Sequence, residues 1–137
     1  MKYVDASALL RVLFKETGPA VPLAAGDVVV SSRLIEVEAY RAVDRERLVG
    51  NLDDGETARK RHELGVLLSM LDLVAVDQEV IDQAKSSFAV NVRALDAIHV
   101  ATAGLVAAES SEPVEFWTHD DRQATAAMSR GLNVKGL

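Results

Sequence analysis

Four carboxylates stand apart from the rest by what surrounds them. Asp5 follows the apolar pair Tyr3-Val4 and precedes Ala6-Ser7-Ala8-Leu9; Asp120 follows the run from Val114 to Thr118 and precedes a helical pattern. Each therefore lies between a strand and a helix. An Asp in that position can satisfy the orphan N–H groups of the helix start as an N-cap. It is also well placed for chemistry, because open α/β sheets bind their ligands beyond the carboxyl ends of the strands. Glu38 belongs to a helical pattern starting near Ser32. At ~100° per residue it falls beside Leu34, Ile35 and Ala42, whereas Glu36 points nearly opposite, towards Tyr40 and Val43. Glu38 is the inward carboxylate of that helix, and an ion pair with Arg41 or Arg45 is the plain alternative for it. Asp96 opens Leu95-Asp96-Ala97-Ile98-His99-Val100-Ala101-Thr102-Ala103, which is small and apolar on nearly every face. An ionised carboxylate there asks for a cation, which the adjacent sequence supplies only through Arg93. His99, one turn on, reads first as a core histidine bonded to a neighbouring carbonyl or carboxylate, and second as a catalytic or metal-binding group.

The other charges read more simply. Asp53, Asp54, Asp72, Asp77, Asp82 and the stretch 109–115 suit helix caps and solvated faces; Asp121, beside Asp120, is open to either role. Arg59-Lys60-Arg61-His62 suits a solvated helix face better than a nucleic-acid patch. With no cysteine in the chain, disulfide frameworks, thiolate catalysis and Cys-ligated zinc or iron–sulfur centres are excluded, and any metal must be held by oxygen or imidazole. The formal charge of −6, from 15 Lys and Arg against 21 Asp and Glu, argues against broad non-specific nucleic-acid binding while permitting a local basic rim.

These residues need a scaffold, and 137 residues suit one domain, 1–137, with a single core. Short strand patterns at 2–5, 27–31, 71–76 and 114–118, with a fifth at the edge over 132–135, alternate with helical patterns at 7–15, 32–48, 55–70, 79–88, 95–108 and 122–130. Such alternation predicts an α/β fold: a central, mainly parallel sheet of four to five strands, layered between helices. Asp5 stands where a signal peptide would carry apolar residues, so a cytoplasmic location is expected. The longest weakly polar stretch, from Ala97 to Ala108, falls far short of the ~20 residues that span a bilayer, so no membrane association is expected.

Taken in order, Val4-Asp5-Ala6-Ser7-Ala8-Leu9, Val37-Glu38-Ala39-Tyr40-Arg41-Ala42, the Leu95 to Ala103 segment and Thr118-His119-Asp120 followed by a short helix and Gly131-Leu132 form a recognisable series. The chain resembles the PIN-domain nucleases, and among them the VapC-type toxins of bacterial toxin–antitoxin pairs. The resemblance spans essentially the whole length, although 50–73 carries no motif, and Asp121 and Gln123 stand where such toxins often have basic and apolar residues. It implies a PIN-like three-layer α/β/α fold and a metal-dependent endoribonuclease, its Mg²⁺ or Mn²⁺ held by Asp5, Glu38, Asp96 and Asp120 with Ser7, Thr118 and His99 in support. Oxygen-only donors suit such hard cations. The resemblance further implies a homodimer, an RNA substrate (tRNA, rRNA or mRNA) and a small VapB-like antitoxin as partner. Arg11, Lys15, Arg41 and Arg45, near Asp5 and Glu38 in sequence, are the expected contacts to the RNA backbone. The rival from another class is a non-catalytic PIN-like module that holds RNA or a protein. Receiver-like and aspartyl-phosphate phosphohydrolase readings are disfavoured by Ser7 two positions after Asp5, where the phosphohydrolase pattern wants a second Asp.

Overall fold

A computed structural model describes residues 1–137. Five strands, β1 (Lys2–Val4), β2 (Val29–Ser32), β3 (Asp72–Val74), β4 (Glu115–Trp117) and β5 (Asn133–Lys135), form one sheet in the order β3-β2-β1-β4-β5. Every pairing is parallel, with Tyr3 opposite Val30 on one side and Phe116 on the other. Six helices alternate with them: α1 (Ala6–Phe14), α2 (Leu34–Leu48), α3 (Asp54–Ser69), α4 (Gln78–Ala84), α5 (Ala94–Glu109) and α6 (Asp121–Ser129). No helix is long and apolar enough to cross a membrane.

Strand periodicity splits the core into two layers. Val4 and Val29 face one side and pack with Leu9 and Leu13 of α1, Ile35, Ala39 and Val43 of α2, and Leu64 of α3. Tyr3 and Val30 face the other and pack with Val100 and Ala103 of α5, Phe116 of β4, and Ala126 and Ala127 of α6. The sheet is thus covered on both faces, which is why its strands read as short continuous apolar runs rather than alternating ones.

Element ends depart from the sequence expectation where tertiary bonds decide them. The helix expected from residue 32 begins at Leu34, because Ser32 stays in β2 opposite Val74. The strand expected from residue 27 begins at Val29; Asp27 lies before it and binds the Lys2 ammonium at 2.6 Å. The helix expected to reach residue 88 stops at Ala84, and Phe88 instead lies under the Arg130 guanidinium, 4.1 Å from its ring centre.

The topology also dictates where a ligand belongs. From β1 the chain builds outward to β2 and β3 on one side and to β4 and β5 on the other, so the strand order reverses between β1 and β4. In open parallel sheets the crevice beyond the carboxyl ends at such a reversal is the binding site. Asp5 directly follows β1, and Thr118 to Asp120 follow β4.

Candidate active site

Asp5 is 1% exposed and held from several directions. Its backbone N–H donates to the Trp117 carbonyl at 3.1 Å, extending the β1–β4 ladder to the edge of the crevice. One carboxylate oxygen accepts the Ala8 N–H at 2.8 Å, so Asp5 is the N-cap of α1. The other accepts the Thr118 hydroxyl at 2.6 Å, and the Ser7 hydroxyl lies within 2.9 Å of both oxygens. Burial pushes the Asp5 pKa up, while the Thr118, Ala8 and Ser7 donors pull against it. Thr118 and Ser7 carry the network onward: their oxygens accept the N–H groups of Asp120 at 3.1 Å and His119 at 2.8 Å.

Glu38 takes neither arginine. Its carboxylate meets His99 Nε2 at 2.6 Å, while Arg41 pairs with Asp44 at 2.9 Å and Arg45 makes no ion pair. The helix surface explains the choice: Arg41 reaches Asp44 one turn on, whereas Glu38 points inward towards α5. The other ring nitrogen of His99 meets the Tyr3 hydroxyl at 2.9 Å, and that hydroxyl accepts the Ser32 N–H at 3.1 Å. His99 is 1% exposed and Tyr3 fully buried, so backbone, phenol, imidazole and carboxylate form one line leading from the sheet to the crevice. The core-histidine reading holds, and the carboxylate it binds is Glu38.

Asp96 lies in the first turn of α5, partly buried, with no ion pair to Arg93. Burial raises its pKa first and the charge of Asp120 second, with Glu38 adding in the same sense. Asp120 is exposed at the N-cap of α6, where its carboxylate accepts the N–H groups of Arg122 and Gln123 at 2.8 and 3.0 Å. Asp96, Asp120 and Asp121 line an open cleft of about 330 Å³ with Arg93, His119 and Arg122. Four acids from four segments are therefore neighbours: Asp5 is tied to Asp120 through Thr118, Asp120 shares a cleft with Asp96, and Glu38 is bound to the buried His99, one turn on from Asp96. Their donor chemistry fits a hard divalent cation: oxygen only, with like charges that a cation would relieve. As they stand, no three of them close on one point. Gripping an ion therefore calls for side-chain rotation, for which exposed Asp120 has the room.

A family model of the PIN domain matches residues 2–128. The chain belongs to the PIN-domain family. Two curated relatives come from Mycobacterium tuberculosis. Ribonuclease VapC46 is 34% identical over 135 residues, covering 96% of this chain and 94% of that protein. Ribonuclease VapC47 is 32% identical over 139 residues, covering 96% and 93%. The crystal structure of PAE2754 from Pyrobaculum aerophilum superposes with a TM-score of 0.55 over 97% of this chain and 81% of that one, at 17% identity, a likeness of fold.

Within this VapC-type PIN domain, the basic residues singled out by sequence are scattered. Arg11 is half-buried, its guanidinium lying against Gly18 and reaching the Gly136 carbonyl at 3.5 Å. Lys15 closes α1 in the left-handed conformation and is exposed; Arg45 lies along a separate groove with Leu10 and Phe14. None of Arg11, Lys15, Arg41 and Arg45 lines the acidic cleft. In the basic run, Lys60 donates to the Leu13 carbonyl at 3.0 Å and Arg61 stacks on Tyr40. Sequence reading passed over Tyr3 and Arg122. Nothing in a strand pattern marks a tyrosine whose hydroxyl bridges a backbone amide and an imidazole; for Arg122, its position two residues after Asp120 was a usable signal.

Proposed function

We propose that residues 1–137 act as one PIN domain, the toxin ribonuclease of a VapBC-type toxin–antitoxin pair, hydrolysing RNA phosphodiester bonds with Mg²⁺ or Mn²⁺ held by Asp5, Glu38, Asp96 and Asp120. The observation that carries this reading is the gathering of Asp96 and Asp120 in one open cleft at the sheet's switch point, with buried Asp5 tied to Asp120 through Thr118, a crowding of like charge that a cation would offset. The names of the two relatives, both ribonucleases, support the substrate class.

In this reading Ser7, Thr118 and the Ala8 amide orient Asp5, and His99, itself oriented by Tyr3, orients Glu38. A divalent ion bound there supplies Lewis acidity for the attacking water and neutralises charge on the phosphoryl group. Asp96 and Asp120, open to the cleft, are the acids that meet incoming substrate. A homodimer and a small VapB-like antitoxin complete the proposal. Its test is cleavage of a mixed structured-RNA pool by purified, antitoxin-free protein with Mg²⁺, Mn²⁺ or EDTA, beside Asp96→Asn. Metal-dependent cleavage that the variant loses is the expected result. A second reading, a non-catalytic module binding RNA or protein, draws on the absence of any three acids already closed on one point. It predicts no cleavage by folded wild type under any metal.

A further inference from the structure

We infer that Arg93 and Arg122 are the phosphate anchors of this cleft, binding the RNA backbone beside the acidic residues. The inference rests on the RNA-cleaving reading above. It starts from how the arginines are committed: Arg33 pairs with Glu36, Arg41 and Arg47 share Asp44, Arg61 stacks on Tyr40, and Arg130 stacks on Phe88 and donates to Ser86. Arg93 and Arg122 line a cleft that also holds Asp96, Asp120 and Asp121, yet neither lies within 4.0 Å of a carboxylate oxygen, and neither side chain makes a hydrogen bond. Arg93 occupies the N-cap of α5 without capping it by its side chain, and Arg122 enters α6 directly after Asp121. Two guanidinium groups are thus carried to one opening by two separate helix starts and left unpaired.

The charge balance gives them a task. A chain of net charge −6 with carboxylates in its cleft repels a polyanion, and RNA brings one negative charge with every nucleotide. Guanidinium groups match phosphate oxygens with paired N–H donors and keep their charge at any physiological pH. Such contacts hold the backbone and set register without reading base identity, so Arg93 and Arg122 contribute affinity across sequences rather than preference among them.

The experiment compares steady-state cleavage of the RNA pool by wild type, Arg93→Gln, Arg122→Gln, the double variant and the two Arg→Lys variants across 50 to 200 mM salt. Arg47→Gln and Arg59→Gln serve as exposed controls outside the cleft, and thermal denaturation of each confirms folding. We expect a raised KM with kcat nearly unchanged in the Gln variants. The dependence of log(kcat/KM) on log salt should become shallower by about 0.7 per arginine and about 1.4 for the pair, the single-strand value for each lost phosphate contact. Lys restores most of the slope, because the point charge remains; the controls keep it whole. A wild type that cleaves RNA while the Gln variants retain its KM and slope overturns the anchors and leaves the ribonuclease reading intact. A fall in kcat with unchanged KM also overturns them. A folded wild type that neither cleaves nor binds the pool removes the reading beneath and the anchors with it.

Discussion

Asp96 pays for its position, because both burial and its acidic neighbours disfavour the ionised form. The sign of the consequence follows from linkage. Its folded pKa lies above the ordinary value near 4, so the fold holds the proton more tightly than the unfolded chain does. Below that ordinary value both states are protonated and the penalty is absent; it grows as pH rises through the folded pKa. Asp96→Asn should therefore be more stable than metal-free wild type at pH 7, by about 0.5 kcal/mol once solvent screening is allowed for. The gap should close below about pH 4. Urea denaturation at the two pH values checks this, and an Asn variant weaker than wild type at pH 7 contradicts it. Tyr3 makes the opposite case, since its hydroxyl satisfies the buried Ser32 N–H and one nitrogen of His99. Tyr3→Phe orphans both and should cost about 1–3 kcal/mol, read as a lower urea midpoint with an unchanged m-value.

At the scale of elements, the site depends on where helices start. α1 and α6 both begin with an Asp whose carboxylate caps them, so the bonds that terminate the strands also aim the acids. α3 shows the same device away from the cleft: Asp53 and Glu56 form a reciprocal capping box, and neither lines the acidic opening. Asp53→Ala should lower the urea midpoint through the lost cap and leave RNA cleavage unchanged; a loss of cleavage without unfolding would tie α3 to the site. The edge beyond β5 is less forgiving. Gly136 has φ 96°, and a Cβ there would come within 2.8 Å of the Thr118 carbonyl, two residues from Asp120.

For the whole molecule, the five parallel strands and two core layers set a rigid frame, and the acidic crevice sits where the strand order reverses. A cation that binds the folded crevice and not the unfolded chain raises stability by mass action, about 2.7 kcal/mol at a hundredfold excess over Kd. Adding Mn²⁺ should accordingly raise the thermal midpoint of wild type, and Asp96→Asn should lose most of that rise. An unmoved midpoint in millimolar Mn²⁺ would count against Asp5, Glu38, Asp96 and Asp120 as a metal site.

By itself the sequence determined the alternation of strands and helices, the covered parallel sheet and the segments bearing Asp5, Glu38, Asp96 and Asp120, because apolar periodicity and the strand-to-helix junctions are local properties of the chain. It did not determine side-chain partners. Glu38 had arginines three and seven residues away, yet its partner is His99, 61 residues on; the sheet carries α2 on one face and α5 on the other, and only where both helices reach its strand ends do these two side chains come within 2.6 Å. Arg11, Arg41 and Arg45 looked available because they lie near Asp5 and Glu38 in sequence. Tertiary contacts tied Arg11 to the carboxyl-terminal segment and Arg41 to Asp44, and left Arg93 and Arg122 at the cleft. Electrostatic pairing depends on distance through space, which the order of residues does not contain until the sheet has set which helix starts meet.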